Sequence, residues 1–130
     1  MKIKLSILSI LFCPVIFATP TVFDVKKGND ELAKSPISHI EANKQGDRIE
    51  ISLSIDPSKL NFVKGVNEVK LIVSQPNLVL LETTSSDKFE TKFLIDGASA
   101  AQYRCDILIS DKNFGVTSAY VVDLGSFIKK

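Results

Sequence analysis

Two side chains in this chain have the chemistry that nucleophilic and metal catalysis most often needs: His39, the sole histidine, and Cys105. A triad or a histidine-centred acid–base pair would have to use His39. A structural or catalytic zinc site usually takes several His or Cys ligands, and this chain supplies too few. A Cys–His nucleophile pair needs a partly exposed thiol in electropositive surroundings. Cys105 instead stands at an inward position of the alternating segment Tyr103 to Ser110, where a free cysteine acts as a small hydrophobe. It is expected to be buried; pairing with another chain and redox chemistry are the alternatives. The carboxylates Asp56, Asp87, Glu90, Asp96, Asp106 and Asp111 fall at strand ends or outer faces. Two of them meeting in space would allow acid–base chemistry, with Asp106 and Asp111 the pair to test, whereas solvated surface charge is their ordinary role. A calcium site at Asp87, Asp111 and Asn113 lacks the alternating oxygen ligands and closing glutamate of a calcium loop. Glycine-rich phosphate loops, Gly-x-Ser-x-Gly and His-Glu-x-x-His are absent. The sequence therefore assigns no catalytic residue, no cofactor and no metal ligand.

Charge and aromatic content narrow the partners. The chain carries 16 basic and 15 acidic residues, with the basic ones scattered. Nucleic acid and anionic membranes call for a basic face, and none is visible. Two tyrosines, eight phenylalanines and no tryptophan give no stacking platform for single strands.

The amino terminus has the three-part layout of an export signal. Lys2 and Lys4 supply a basic start, Leu5 to Phe17 form an apolar run, and Ala18 offers a small residue before Thr19-Pro20. A membrane-spanning helix needs about 20 apolar residues, so this run is short for one, and Pro14 interrupts it. Ile16 occupies a position where cleavage favours a small residue, which keeps an uncleaved anchor as the alternative. Phe12 before Cys13 is too bulky for an acylation site. Cleavage after Ala18 leaves residues 19–130 as one domain, large enough to build a core without staples. The mature chain then holds Cys105 alone, so no internal disulfide forms. Export places it in a periplasmic or extracellular setting, with no stable membrane span after processing.

The elements that must position any site are short alternating segments separated by turns. Arg48 to Asp56 is the clearest: Ile49, Ile51, Leu53 and Ile55 face one way, and Glu50, Ser52, Ser54 and Asp56 the other. Ser38 to Asn43 precedes it through the turn-rich Lys44-Gln45-Gly46-Asp47. Glu68 to Ser74, Leu78 to Thr84, Phe89 to Asp96, Tyr103 to Ser110 and Val116 to about Leu124 follow, with Val22 to Val25 as a further candidate. The run Leu78-Val79-Leu80-Leu81 does not alternate, which predicts burial on both faces or packing against a partner. Asn29 is placed to cap one helical turn at Asp30 to Lys34 before Pro36. The class is all-β, an antiparallel sandwich of about seven or eight strands.

At Tyr103-Arg104-Cys105 the sequence resembles the sixth strand of an immunoglobulin-like domain. A tyrosine two residues before the cysteine there packs at a corner, and its hydroxyl bonds upstream backbone. Phe93-Leu94-Ile95, the small-residue stretch Gly97-Ala98-Ser99-Ala100-Ala101 and the turn Asn113 to Gly115 fit the surroundings. The resemblance covers about residues 89 to 124, and elsewhere strand count and spacing only. It implies an immunoglobulin-like β-sandwich without the disulfide. No cysteine stands near Ile51 or Leu53, no tryptophan is present, and the acidic residue usual before the tyrosine is displaced to Asp96. Such a fold carries no activity with it.

With little catalytic chemistry on offer, the expectation is an exported, non-catalytic module that recognises a protein or ligand through loops or a sheet face. Leu60, Phe62 and Val63 in the polar connection Ser58 to Gly65, and Phe114 at the last hairpin tip, are the candidate protein-binding residues. The competing role for them is to plug one end of the sandwich, since large exposed apolar patches are rare on soluble monomers. Outward Leu108 and Val121 predict a partly covered sheet face. The alternative function is a structural subunit or accessory protein of an envelope or surface assembly that pairs edge strands. A hydrolase with a carboxylate pair stands third.

Overall fold

A computed structural model describes residues 20–60, 66–111 and 115–128. Eight strands run in the order β1 (Thr21–Val25), β2 (Ile37–Gln45), β3 (Arg48–Ile55), β4 (Val66–Gln75), β5 (Leu78–Ser85), β6 (Phe89–Asp96), β7 (Arg104–Asp111) and β8 (Gly115–Val122). One short helix, α1 (Asp30–Lys34), separates β1 from β2. Three 3-10 turns fall at Pro57–Leu60, Gly97–Gln102 and Leu124–Phe127. The export signal read at residues 1–18 lies outside the described residues, and among these no helix is long and apolar enough to cross a membrane.

The strands form a five-stranded sheet, β1-β8-β7-β4-β5, and a three-stranded sheet, β2-β3-β6. All pairings are antiparallel except β1 with β8. Alternation dictates the packing, because every second side chain points to the same face. Ile49, Ile51, Leu53 and Ile55 of β3 are buried, and so are Val69, Leu71 and Val73 of β4 and Cys105, Ile107 and Ile109 of β7. Residues of both sheets belong to one continuous core, an arrangement compatible with a β-sandwich. Fully burying an aliphatic side chain contributes about 1.5–3 kcal/mol, so this interior is the main source of stability.

Local chemistry sets the turns. Pro76-Asn77 joins β4 to β5 with Asn77 at φ 66°, the Pro-then-positive-φ pattern of a type II turn. Gly97 has a different constraint. A Cβ there would lie 3.0 Å from the Asp47 carbonyl oxygen, the same oxygen that accepts the Gly97 N–H at 2.9 Å. The Asn29 side chain accepts the Leu32 N–H at 3.2 Å and caps α1 as expected. Pro36 disfavours helical backbone at Ser35 and so helps to stop the helix there.

The Leu78–Leu81 run departs from one expectation. It belongs to an edge strand and is not buried on both faces: Leu78, Val79 and Leu80 are 54%, 57% and 41% exposed. Leu81 pairs with Val73 and Val79 with Ser74, which leaves Leu80 as an extra residue in a bulge. The bulge, and not double burial, breaks the alternation.

Candidate protein-interaction surface

Of the described residues singled out for chemistry, only His39 and Glu90 are brought to one cleft, in a register row on either side of Ser54. Cys105 is fully buried, and burial, reinforced by the negative charge of Asp106, pushes its thiol up to about 12. Such a thiol does not supply the thiolate that nucleophilic chemistry needs. His39 is exposed on β2, 3.9 Å from the exposed Glu41 carboxylate on the same face. Asp106 receives Arg104 Nε on both carboxylate oxygens at 2.9 and 2.8 Å. Asp111 is five residues further along the same strand, or about 17 Å at strand rise, beyond the ~5–9.5 Å over which paired carboxylates cooperate. Among the described residues, no group of three or more His, Cys, Asp or Glu is placed to hold a metal ion.

The loop candidates divide. Leu60 is 2% exposed and belongs to the core. The 3-10 turn Pro57–Leu60 swings its side chain inward. It is held in the plugging role, so a partner would reach it only by opening the sandwich. Asp56 stabilises the start of this turn: its Oδ1 accepts the Ser58 hydroxyl at 2.6 Å and the Ser58 N–H at 3.0 Å. These bonds hold its carboxyl below the usual range. Phe62, Val63 and Phe114 lie outside the described residues.

The surface that the fold assembles is the flank where β5 and β6 end their respective sheets. The link 86–88 between them spans at most about 14 Å, little more than the ~10 Å between packed sheets. The end of β5 and the start of β6 therefore lie close together. Leu81 of β5 and Phe89 and Phe93 of β6 pack against the core yet stay partly exposed, forming an apolar rim. Beyond the bulge, Leu78, Val79 and Leu80 extend this rim into open solvent. Three consecutive exposed aliphatic residues on an edge strand form a contiguous apolar patch, unlike scattered single exposures.

The outer face of the five-stranded sheet adjoins this flank. Across its strands Val22, Ala119, Leu108, Lys70 and Thr84 stand in one register row, and Asp24, Val121, Asp106, Ile72 and Glu82 in another. Leu108, Val121 and Ile72 are partly exposed, and Val22 is open at 58%. Lys70 pairs with Glu82 at 3.5 Å and Arg104 with Asp106 at 2.8 Å, so most charge on this face is neutralised in place. A further shallow cleft of ≈ 470 Å³ lies beside α1, lined in part by Asn29, Leu32, His39, Lys59 and Phe127. Two basic side chains line it, Lys27 and Lys59, and the Lys59 Nζ donates to the Ile37 carbonyl.

Sequence reasoning marked the Leu78–Leu81 run, Leu108 and Val121 but not the β6 rim. Phe89 and Phe93 alternate as core residues do, and only the sheet order leaves them at an open edge. Set against known proteins, the chain matches no family model, and no curated protein matches it.

Proposed function

We propose that the chain is an exported, non-catalytic interaction module of immunoglobulin-like build that recognises a protein through its β5 edge and the adjoining sheet face. The observation that carries this reading is the exposed run Leu78-Val79-Leu80 on an edge strand. Neighbouring exposed apolar side chains of this kind mark protein-interaction sites, because their burial against a partner removes apolar surface from water. The immunoglobulin-like part is supported by strand order. β2, β3 and β6 take the places of A, B and E, and β4, β7 and β8 those of C, F and G. The Tyr103 hydroxyl supports it too, accepting the upstream Asp96 N–H at 3.1 Å. Export is supported by the layout of residues 1–18, and the lack of catalysis by the burial of Cys105 and the distance along β7 between Asp106 and Asp111.

The test is comparative capture. The protein, immobilised and exposed to envelope extract or culture fluid, is set beside the Leu78→Ser/Val79→Ser/Leu80→Ser variant and beside Phe62→Ser/Phe114→Ser. A partner retained by the native chain and lost by the β5 variant, with unchanged thermal unfolding, supports the reading. Loss only in the Phe62/Phe114 variant moves the surface to the loops. Equal capture by all three removes it.

The second reading, a structural subunit of an envelope or surface assembly, is favoured by one observation. β6 is an edge strand of eight residues whose pairing with β3 runs without a register break. Its outer edge is free to accept another strand.

A further inference from the structure

The free edge of β6 carries a pattern that its own chain does not use. Among the described residues β6 pairs with β3 alone. Two hydrogen bonds fix which backbone groups face outward. The Gly97 N–H, just past the strand, donates to the Asp47 carbonyl at 2.9 Å, in step with the β3 ladder. The Asp96 N–H turns the other way and donates to the Tyr103 hydroxyl at 3.1 Å. Successive residues in an antiparallel strand direct their N–H and C=O to opposite sides. The backbone groups of Glu90, Lys92 and Leu94 are in phase with Asp96 and therefore line the free edge.

The side chains supply the rest. Phe89, Thr91 and Phe93 face inward and are partly exposed, whereas Glu90, Lys92 and Leu94 face outward and are exposed. Glu90 and Lys92 have no ion-pair partner among the described residues; their β3 neighbours are Ser54 and Ser52. The other edges are blunted in recognised ways. β1 has only five residues. β2 has a register break at Ile37/His39 and is touched by Ile128 at Ala42. β5 is bulged at Leu80. β6 has none of these devices.

We propose that a second copy of this chain docks here, its β6 antiparallel to the first about a two-fold axis through Thr91. A two-fold interface must be self-complementary, and Phe89-Glu90-Thr91-Lys92-Phe93 reads the same in reverse with the charges exchanged. In this register Glu90 meets Lys92 of the second copy and Lys92 meets its Glu90. Phe89 meets Phe93 twice on the inner face, and Thr91 meets itself. Glu90 and Lys92 are also the residues whose backbone groups point outward, so each facing pair exchanges its N–H···O bonds. A slip of one residue puts inward side chains against outward ones. Recentring on Glu90 or on Lys92 sets like charges opposite each other, which is destabilising. Charge and facing thus favour the register through Thr91 over its neighbours, with a second copy of this chain as the occupant that matches it. The proposal rests on the chain being an interaction module, but not on the β5 patch.

The experiment follows the association of the full chain, purified from an exporting host, by sedimentation equilibrium across a concentration series. Glu90→Lys and Lys92→Glu are each measured alone and then combined. The native chain is expected to dimerise. Each single swap turns two attractive pairs into two repulsive ones and weakens the dimer about tenfold, whereas the combined swap restores native affinity. Thr91→Cys adds a geometric reading, because directly opposed non-hydrogen-bonded residues lie ~4.5 Å apart at Cα, within disulfide reach. That variant is expected to form a covalent dimer on mild oxidation, with buried Cys105 taking no part. A native chain still monomeric at about 1 mM overturns the proposal. So does a dimer indifferent to the swaps, or a combined swap as weak as the single ones. Either result leaves β5-dependent capture standing, because the Leu78–Leu80 variant reads that surface separately.

Discussion

Removing the Tyr103 hydroxyl isolates one hydrogen bond at the base of β7. Tyr103→Phe leaves the Asp96 N–H without its acceptor and is expected to cost about 1 kcal/mol, measured as a lowered urea midpoint at unchanged slope. The bond was legible in part. The Tyr-x-Cys spacing pointed to an upstream backbone partner, but the partner depends on how Gly97–Gln102 folds back, which residue types alone do not fix. Cys105 was legible in full, since its place in an alternating strand predicted burial and it is fully buried. Its thiol is expected to resist maleimide in the native state and to react once urea unfolds the chain. The pH response has a definite sign. The folded thiol is held at about 12 against an ordinary 9.0, so its contribution is complete below pH 9 and is lost as pH rises from about 9 to 12. Burial pushes the Tyr120 hydroxyl up as well, in the same direction. Thermal unfolding should therefore fall in temperature above pH 9; a flat profile from pH 9 to 11 would contradict the burial of both groups.

Strands with strict alternation were readable because side-chain period and burial agree. β3 is the plainest case, with four inward aliphatics that are all buried. Leu53→Ala is expected to cost about 2–5 kcal/mol, whereas Leu94→Ala, on the outer face of β6 at 46% exposure, should change stability by less than ~0.5 kcal/mol. Chemical denaturation of the two variants side by side checks this contrast. Equal losses would mean that Leu94 is covered. The Leu78–Leu81 run was not readable in the same way. An apolar run without alternation is produced equally by burial on both faces and by a bulge, and only the pairing with β4 tells them apart. Leu60 illustrates the opposite limit. It stands among polar residues that read as a surface connection, yet one 3-10 turn carries it into the core.

At the scale of the whole molecule the class was legible and the edges were not. Alternating segments and turn residues predict an all-β chain, but they do not say which strands end a sheet. Sheet order is a long-range property. β1 pairs in parallel with β8, nearly a hundred residues away in sequence, and β6 is left at an edge because among the described residues it pairs with β3 alone. That placement makes a surface of side chains that would otherwise be ordinary interior residues. On the proposed function this flank carries recognition, with the exposed apolar residues of β5 as the partner surface and β6 as the self-complementary edge. The most direct test is capture from the native envelope or culture fluid by the immobilised protein, read by mass spectrometry against its Leu78→Ser/Val79→Ser/Leu80→Ser variant. The account predicts at least one protein retained by the native chain and depleted about tenfold or more by the variant, with thermal unfolding unchanged. An identical set of captured proteins on both would contradict it.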